Sequence, residues 1–519
     1  MLFATQSESL RVFDAVRTSL HEAVGVERAG FIIADSWAYL GWLRQVPDFE
    51  SRGYLLLKEW EITARRAGKP DLALLADYER RLGVPGGLFG AIVADRRLLM
   101  GPDCAYTQDY RRRFTDDELL CILQVGLLRL EELYRDLDPQ LVVGFICVTM
   151  LDYLVYLFAR ARKIPYLNVR PTRVGDRVTL GSTLNDPTPE LIRAYRKACT
   201  NGSPHIEAAR AYLRRVRERH GRYEGVVSPS DRPALKINRE RRYPWQATAR
   251  IWRNYRAYRN SAARTDNHVP HPLRSLCFGA VVNPWRARQV AHKLAGRYLT
   301  AEELKRTRYC FYPLHTEPEV SLLVYGRPFL NQIEVIRALA LSLPIDMVLV
   351  VKEHPWMVGK RSLDAYRKLL NIPRVQLVNP AMEARELISG AAFVAVVTGS
   401  VALEAAILGR PVVTFGECPY NALPEAMVRR CKDLRSLPEL VREMLTQYHS
   451  DEAALEGYIA AVYDTSESVN LYSVLLEKKG VHQERPSDFR AEAAKLAQCA
   501  LRAWRLGEPS KPEEGAAAW

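Results

Sequence analysis

The sequence predicts an α/β fold, in which the strands of a parallel sheet alternate with helices. Three valine-rich apolar runs support this prediction: Met347–Val351, Ala391–Val397 and Pro411–Gly416. Segments of helical length separate the runs, and strands that alternate with helices form parallel sheets. Polar residues directly follow the runs, and ligands of such sheets bind beyond the carboxyl ends of the strands. We therefore expect a binding site at these positions.

The N-terminal part of the chain, roughly to residue 200, follows the same pattern. Short apolar runs that end in polar or turn residues predict strands, and longer amphipathic runs predict helices. The predicted strands are Ala29–Ala34, Gly53–Leu57, Gly90–Ala94, Gln140–Phe145 and Tyr166–Val169. The predicted helices are Asp116–Asp136 and Leu151–Arg162. The last two strands and the helix between them predict a βαβ unit, so a second α/β domain is expected here.

Residues 201–305 differ from both neighbouring parts, because they are rich in arginine, tyrosine and tryptophan and are interrupted by prolines. Within 249–260 arginines recur at every third position, while Ile251, Tyr255 and Tyr258 share one helix face. This pattern predicts a basic amphipathic helix, and a solvated face over a packed helix is the favoured interpretation. Docking on an anionic membrane surface is the second interpretation. Nucleic acid is not expected as a partner, because no nucleic-acid motif accompanies the charge.

Composition limits the class of protein. The 519 residues predict two or three domains, and the content of 48% apolar and 26% charged residues is ordinary for a globular protein. Nine scattered cysteines without a Cys-x-x-Cys pair predict reduced thiols and a cytoplasmic location. No apolar run is long enough to predict a membrane span. The net charge of +14 predicts an anionic partner, which by charge alone is a nucleotide, a nucleic acid or an anionic lipid surface.

Two turns in the C-terminal half are suited to binding a phosphate. His354, before Pro355 at a strand end, can donate a hydrogen bond to a phosphate oxygen, with a turn histidine that bonds to a local carbonyl as the alternative. Thr398, Gly399 and Ser400 join a strand to a helix, where hydroxyls and backbone N–H groups can bind phosphate. Capping of the helix by the serine is the alternative there.

Acidic residues lie near the same sheet edge. Glu404 follows Ser400 by one helical turn among apolar residues, and it can accept hydrogen bonds from ribose hydroxyls or be stabilised by the helix dipole. The loop after the strand at 309–313 holds His315, Glu317 and Glu319. His315 or Glu319 can serve in acid–base chemistry or bind substrate hydroxyls. A plain polar loop explains them equally well.

In the N-terminal half, Asp35 and Asp95 follow predicted strands and are candidates for a general base. Arg170, Arg173 and Arg177 can contact an acidic substrate, although a surface arginine cluster is the more common outcome. The sequence has no nucleotide-binding phosphate loop of the Gly-x-x-x-x-Gly-Lys-Ser/Thr type and no His-Glu-x-x-His zinc motif. No Asp-x-Asp motif stands out after a strand, so a metal-free mechanism is favoured.

At these residues the chain resembles the bacterial glycosyltransferases that build surface and capsule polysaccharides, which include the 3-deoxy-manno-octulosonic acid (Kdo) transferases. The resemblance is carried by Tyr312–Glu319, Gln332, Leu343–Pro344, Val351–Pro355, Thr398–Ala405 and Gly409–Gly416. In the N-terminal half it is looser, and it is carried there by Ile164–Leu167 and Arg173–Arg177.

The resemblance implies a GT-B-like fold, with two Rossmann-like domains, a cleft between them and the nucleotide-sugar donor on the C-terminal domain. It implies no metal and no cofactor besides the nucleotide sugar as co-substrate, for which CMP-Kdo is a candidate. The donor-binding residues are then expected to be Lys352, Glu353, His354, Pro355, Thr398, Gly399, Ser400 and Glu404. The catalytic candidates are Asp35, His315 and Glu319, and the substrate-binding candidates are Glu317 and Arg173.

The expected organisation has five segments, each defined by its composition or by the resemblance. They are 1–200, an N-terminal Rossmann-like acceptor domain; 201–305, a basic helical region; 306–445, a C-terminal Rossmann-like donor domain; 446–506, C-terminal helices; and 507–519, a disordered tail.

The predicted function is transfer of a sugar from a nucleotide sugar to a surface glycan or its lipid anchor, by a cytoplasmic enzyme peripheral on the inner face of the plasma membrane. One alternative is a polyol-phosphate transferase that uses a CDP-alcohol on the same fold. The other is a non-catalytic scaffold in a polysaccharide export complex.

Overall fold

A computed structural model describes residues 1–6, 9–100, 113–218, 245–259, 264–478 and 486–506, except for the side chains of residues 100, 245–251 and 506. Within these ranges the strands form two sheets of seven strands each. Helices pack against both sheets, so the predicted α/β fold with two sheet domains is confirmed. The predicted disordered tail, residues 507–519, lies outside the described residues.

The strands are short and mostly buried. They are β1 (Leu2–Thr5), β2 (Gly30–Ile33), β3 (Leu55–Lys58), β4 (Val142–Gly144), β5 (Tyr166–Pro171), β6 (Arg177–Gly181), β7 (Tyr298–Leu299), β8 (Tyr309–Pro313), β9 (Val348–Lys352), β10 (Val375–Val378), β11 (Phe393–Val396), β12 (Val412–Thr414), β13 (Val428–Arg430) and β14 (Ser466–Ser468).

The α-helices fall between the strands. Those up to β6 are α1 (Ser9–Val24), α2 (Ser36–Gln45), α3 (Glu59–Ala64), α4 (Leu72–Arg81), α5 (Gly90–Ala94), α6 (Arg96–Met100), α7 (Asp116–Leu137) and α8 (Met150–Ala161). Those up to β8 are α9 (Pro189–Asn201), α10 (Ile206–Arg217), α11 (Trp245–Arg259), α12 (Pro272–Cys277), α13 (Asn283–Leu294) and α14 (Ala301–Lys305). The remaining helices are α15 (Gln332–Leu341), α16 (Leu363–Leu370), α17 (Ala384–Gly390), α18 (Val401–Ile407), α19 (Leu437–Thr446), α20 (Glu452–Asp464) and α21 (Phe489–Leu506).

The first sheet has the strand order β14-β6-β5-β4-β1-β2-β3. Strands β1 to β5 run parallel, while β6 and β14 add antiparallel pairs at one edge. The C-terminal part of the chain thus returns to the first domain, where β14 completes the sheet and α21 packs against α1. The central strand β1 was not predicted from the sequence.

The second sheet is parallel throughout, with the order β13-β12-β11-β8-β9-β10-β7. Its central strands β8, β9 and β11 are buried almost completely, because helices cover both faces. Continuous apolar strands are typical of a sheet covered in this way.

One predicted strand is wrong, since Gly90–Ala94 forms the helix α5. A short apolar run fits a buried helical turn as well as a buried strand. Here the turn buries Ala91, Ile92 and Ala94 and packs against α8. The two helices predicted in this half are confirmed as α7 and α8.

In the basic region, the predicted amphipathic helix is observed as α11. The rings of Tyr255 and Tyr258 contact the His271 ring beside α12, while Arg253 and Arg256 are exposed. One face of α11 is thus packed and the other exposed, which fits both the solvated face and the membrane-docking interpretation. In the described parts of the chain, no helix is both long and apolar enough to cross a bilayer.

Candidate functional site

The carboxyl end of the second sheet contains the residues predicted to bind the donor. The chain runs from β8 outward through β9 and β10, and it then returns to the other side of β8 to form β11 and β12. The strand order therefore reverses between β8 and β11, and ligands of open α/β sheets bind at such a switch point. His315 follows β8 and Thr398 follows β11, so both lie at the switch point.

A hydrogen bond joins these two residues. The backbone N–H of Thr398 donates to Nε2 of His315 at 3.2 Å, and the backbone N–H of His315 donates to Oε1 of Gln332 at 2.9 Å. An imidazole that accepts at Nε2 is neutral and carries its proton on Nδ1. Burial lowers the pKa of His315 to about 4, which favours this neutral form at neutral pH.

The turn at residues 398–400 brings backbone close to the switch point. Gly399 has a φ of +108°, a conformation that favours glycine, and a Cβ atom there would lie 3.3 Å from Cε1 of His315. The Thr398 hydroxyl donates to the Ser321 carbonyl oxygen at 3.3 Å. The Ser400 side chain makes no capping bond, so the capping alternative is not observed.

Glu404 lies in α18, one turn beyond Ser400, and is half-buried. Burial raises the pKa of its carboxyl, and the nearby Arg385 guanidinium partly opposes that effect. A half-buried carboxyl beside the switch point is compatible with a ribose contact, which stays a prediction.

His354 follows β9 and makes a local contact, although with a backbone N–H and not with the carbonyl of the alternative interpretation. Its Nδ1 accepts the backbone N–H of Trp356 at 3.2 Å, which caps the 3₁₀ turn Pro355–Met357. Because β8 lies between β9 and β11, a strand spacing of about 4.8 Å separates the ends of those two strands by roughly 10 Å. Donor-binding roles for His354 and the 398–400 turn stay predictions.

Two of the predicted binding carboxylates belong to a buried ion cluster. Arg361 lies 2.6 Å from Oε2 of Glu353 through Nε and 3.1 Å from Oε1 of Glu317 through Nη1. The Tyr366 hydroxyl also donates to Oε2 of Glu353 at 2.8 Å. This cluster anchors the 315–319 loop to the end of β9, next to the buried Lys352. Binding roles for Glu317, Glu353 and Lys352 stay predictions.

The 315–319 loop also faces the first domain. The Thr316 hydroxyl donates to Oε2 of Glu319 at 2.6 Å. Nη1 of Arg96 in the first domain donates to the Pro318 carbonyl oxygen at 3.2 Å. The 315–319 loop therefore lies between the two sheets, as expected for residues that face a cleft between the domains.

The catalytic candidate Asp35 and the substrate-binding candidate Arg173, both in the first domain, lie in separate turns. Oδ1 of Asp35 accepts the backbone N–H groups of Trp37 and Ala38 at 2.9 and 3.0 Å, so it caps α2 at the end of β2. Arg173 lies in the turn between β5 and β6 and has a φ of +66°. Burial raises the pKa of Tyr325 in the second domain to about 12, and the nearby charge of Arg173 opposes this slightly, so this turn also lies near the junction of the domains.

A buried cluster of titratable groups in the first domain was only partly predicted. Glu59 directly follows β3, Asp95 precedes α6, and His268 belongs to the loop 264–269 of the basic region. Nε2 of His268 lies 2.8 Å from Oε2 of Glu59. Burial raises the pKa of Glu59 to about 7, raises the pKa of Asp95 and lowers the pKa of His268.

Among the described residues, this cluster is the one group whose His and acidic ligand atoms lie close enough to hold a metal ion, within 4.8 Å of one another. A cavity of about 10 Å³ adjoins it, which is room for about one water molecule. Oδ1 of Asp95 accepts the N–H groups of Arg97 and Leu98, and Oδ2 accepts that of Met150. With these bonds, the buried Asp95 carboxylate accepts hydrogen bonds from three backbone N–H groups, which is a structural role.

The loop 264–269 covers this cluster. Asp266 accepts the Ser36 backbone N–H at Oδ2 and the His268 backbone N–H at Oδ1, both at 2.7 Å. The Thr63 hydroxyl donates to the Thr265 carbonyl oxygen at 2.9 Å. The basic region therefore lies over the carboxyl ends of β2 and β3. Glu59 was detectable as the residue after a strand, whereas no sequence pattern marks His268.

Comparison with known proteins gives a family for part of the chain. Residues 235–424 match the family model described as capsule polysaccharide biosynthesis protein. The matched region contains β8 to β12 and both sides of the switch point, so the predicted family resemblance is confirmed for this region. A search of curated proteins finds no match.

Solved structures show weaker similarity. The β-Kdo 2,4 transferase KpsC of Thermosulfurimonas dismutans is 15% identical, with 62% of this chain and 78% of that chain covered and a TM-score of 0.34. The β-Kdo 2,7 transferase KpsC of that organism is 13% identical, with 64% and 80% covered and a TM-score of 0.31. The UDP-GlcNAc 2-epimerase of Neisseria meningitidis is 11% identical, with 89% and 98% covered and a TM-score of 0.27. These scores are low, so the fold assignment depends on the two sheets themselves.

Proposed function

We propose that the protein is a metal-independent GT-B glycosyltransferase that transfers a sugar from a nucleotide sugar to a bacterial surface polysaccharide or its lipid anchor. The observation that supports this most is the switch point of the second sheet, where His315 meets the 398–400 turn. That switch point lies inside the segment that matches the capsule polysaccharide model. CMP-Kdo is the donor to test first, because the sequence resemblance includes Kdo transferases.

In the transition state of sugar transfer, charge would develop on both groups joined by the breaking bond between sugar and phosphate. The sugar becomes oxocarbenium-like in the transition state, and negative charge builds on the departing phosphate. Hydroxyl and backbone N–H groups of the 398–400 turn would stabilise that phosphate. The imidazole of His354, which lies about two strand spacings from this turn, would contact another part of the nucleotide sugar. Glu404 would accept hydrogen bonds from the ribose.

A base must remove the proton of the acceptor hydroxyl. We propose Asp35 and Glu319 for this role, because they lie at the ends of strands or loops on the two sides of the domain junction. His315 is the third candidate. Burial lowers its pKa to about 4, so the ring is neutral but only weakly basic at neutral pH, and its Nε2 already accepts the Thr398 N–H.

Binding of the donor can be tested by titration calorimetry of the full chain with CMP, CDP, UDP and GDP. For the nucleotide that binds, we expect His354→Ala to weaken affinity about tenfold or more, the effect of losing one hydrogen bond to a charged group. The melting temperature should change little. The matched control is His449→Ala, an exposed histidine beyond α19. An unchanged affinity in His354→Ala would contradict the proposed donor site.

The reaction type and the metal requirement can be tested by product analysis. The full chain is incubated with acceptor glycolipid and either CMP-Kdo or CDP-glycerol, each with and without EDTA. Transfer of a sugar from CMP-Kdo that persists in EDTA is the expected result. Transfer of glycerol phosphate would identify the polyol-phosphate transferase instead. Nucleotide binding without turnover of either donor would favour a scaffold, and loss of activity in EDTA would refute metal independence.

A further inference from the structure

The helices of the basic region present an exposed apolar stripe. From Pro272 to Leu294 the backbone continues as one helix through α12, a π turn at 278–282 and α13. The π turn is closed by the N–H of Asn283 bonding to the Phe278 carbonyl oxygen. In an α-helix, residues four apart rotate by more than one full turn. A π turn has more residues per turn, which offsets part of that rotation and keeps residues at a spacing of four near one side of the helix. Leu273, Cys277, Val281 and Trp285 follow this spacing.

The large side chains of this spacing are open to solvent. Leu273, Val281 and Trp285 are 40%, 62% and 56% exposed, and Trp252 of the neighbouring helix α11 is 61% exposed. The elements that carry them pack against one another in succession. Leu273, Val281 and Trp285 form the apolar stripe, and Trp252 is a further exposed apolar side chain on the adjoining helix. Exposed apolar patches edged by polar residues mark interaction sites.

The surroundings of the apolar stripe are strongly basic. Residues 252–297 contain nine arginines and lysines and one acidic residue, Asp266, which is buried against the first domain. Four exposed arginines of this segment are called the basic rim: Arg253, Arg256, Arg274 and Arg288. Tryptophan is favoured where one end of the side chain is apolar and the other is wet, as at a membrane interface. A nucleic acid would use the basic charge but not the apolar stripe.

We propose that the apolar stripe and the basic rim dock the protein on an anionic lipid bilayer. The apolar side chains would enter the boundary between headgroups and acyl chains, while the arginines would contact lipid phosphates, as in interfacial amphipathic helices. This inference goes beyond the proposed function, because vesicle binding needs neither a donor nor an acceptor. The two can therefore fail separately.

The test is cosedimentation of the full chain with vesicles of phosphatidylcholine alone or with roughly one third phosphatidylglycerol. We expect binding to the anionic vesicles that weakens at high salt, and little binding to the neutral ones. Val281→Ser with Trp285→Ser should lower the partition coefficient about tenfold or more. Arg253→Gln with Arg256→Gln should lower binding to the anionic vesicles while keeping the melting temperature.

The matched control replaces two exposed apolar residues outside the basic region, Leu72→Ser and Ile345→Ser, which are 62% and 93% exposed. This control should bind vesicles as the wild type does. The inference is overturned if the wild type ignores anionic vesicles, or if the control loses as much binding as the variant of the apolar stripe. It is also overturned if binding to a nucleic-acid duplex is tighter than to vesicles and is unaffected by Val281→Ser with Trp285→Ser.

Discussion

At the scale of single residues, His315 links the switch point to pH. Its Nε2 accepts the Thr398 N–H, and protonation there would replace this acceptor with a donor and break the bond. The pKa of His315 falls from 6.5 to about 4 in the folded state because the ring is buried. Stability from this group is therefore present above pH 6.5 and is lost as the pH falls through about 4.

We expect His315→Gln, which keeps an acceptor but cannot protonate, to lose less stability than the wild type between pH 6.5 and 4. The difference should approach at most about 3 kcal/mol, since one pKa unit corresponds to about 1.4 kcal/mol. Urea unfolding across this pH range measures it, with the exposed His449→Gln as control. Parallel curves for His315→Gln and the wild type would contradict the prediction.

Sequence reasoning located residues that depend on a strand end and missed those that depend on long-range packing. Thr398 and His315 were placed correctly at the sheet edge, because a polar residue after an apolar strand is visible in the sequence. The pairing of Nε2 of His315 with the Thr398 N–H was not visible, since it needs the strand order. His268 meets Glu59 only because a distant loop crosses the first domain, and no local pattern encodes that contact.

At the scale of elements, the errors have a common physical cause. The run Gly90–Ala94 was predicted as a strand and is α5, because burial on all sides removes the alternation that separates strands from helices. The central strand β1 is only four residues long, so its period is equally undefined. The long helix α7 was predicted nearly to the residue, since it has a capping box at Thr115 and Glu118 and many turns of amphipathic pattern.

The contact between the start of α13 and Gly359 of the second domain gives a prediction at the scale of elements. Gly359 has a φ of +84°, and a Cβ there would overlap the Asn283 carbonyl oxygen at the start of α13. Nη1 of Arg286 donates to the adjacent Lys360 carbonyl oxygen at 3.3 Å. We expect Gly359→Ala to destabilise the protein and to loosen α13, because both backbone strain and steric overlap oppose it.

The control is Gly53→Ala, which has a similar φ of +73° but no atom within 4 Å of a new Cβ. Its cost should be the backbone strain alone, about 1–2 kcal/mol, and Gly359→Ala should cost a further 1–3 kcal/mol or so from overpacking. Urea unfolding measures both, and limited proteolysis should cut residues 272–297 faster in Gly359→Ala. Equal costs for the two variants would show that α13 does not depend on this contact.

At the scale of the whole molecule, the two domains are not successive halves of the chain. Arg177 of β6 bonds to Ser466 of β14 through Nε, at 2.8 Å, and α21 packs its buried residues Leu496, Ala497 and Ala500 near α1. A variant that ends at Asp464 should therefore damage the first domain and spare the second. Hydrogen exchange should show lost protection in α1 and β1 to β6 and retained protection in β8 to β12.

A variant that ends at Leu506 is the control, because it keeps β14 and α21. Its exchange pattern should match that of the full chain. Uniform loss of protection in both domains of the shorter variant would mean that the sheets unfold as one unit, contrary to this prediction.

The contact between β6 and β14 joins residues 289 positions apart. At synthesis rates of about 5–20 residues per second, the ribosome needs roughly 15–60 s to make the intervening segment. During that interval the first sheet lacks its last strand, and the part of α1 that packs against α21 is uncovered. We therefore expect nascent chains of this protein to depend on chaperones until the final helix emerges, whereas the second sheet can form as soon as β13 has left the exit tunnel.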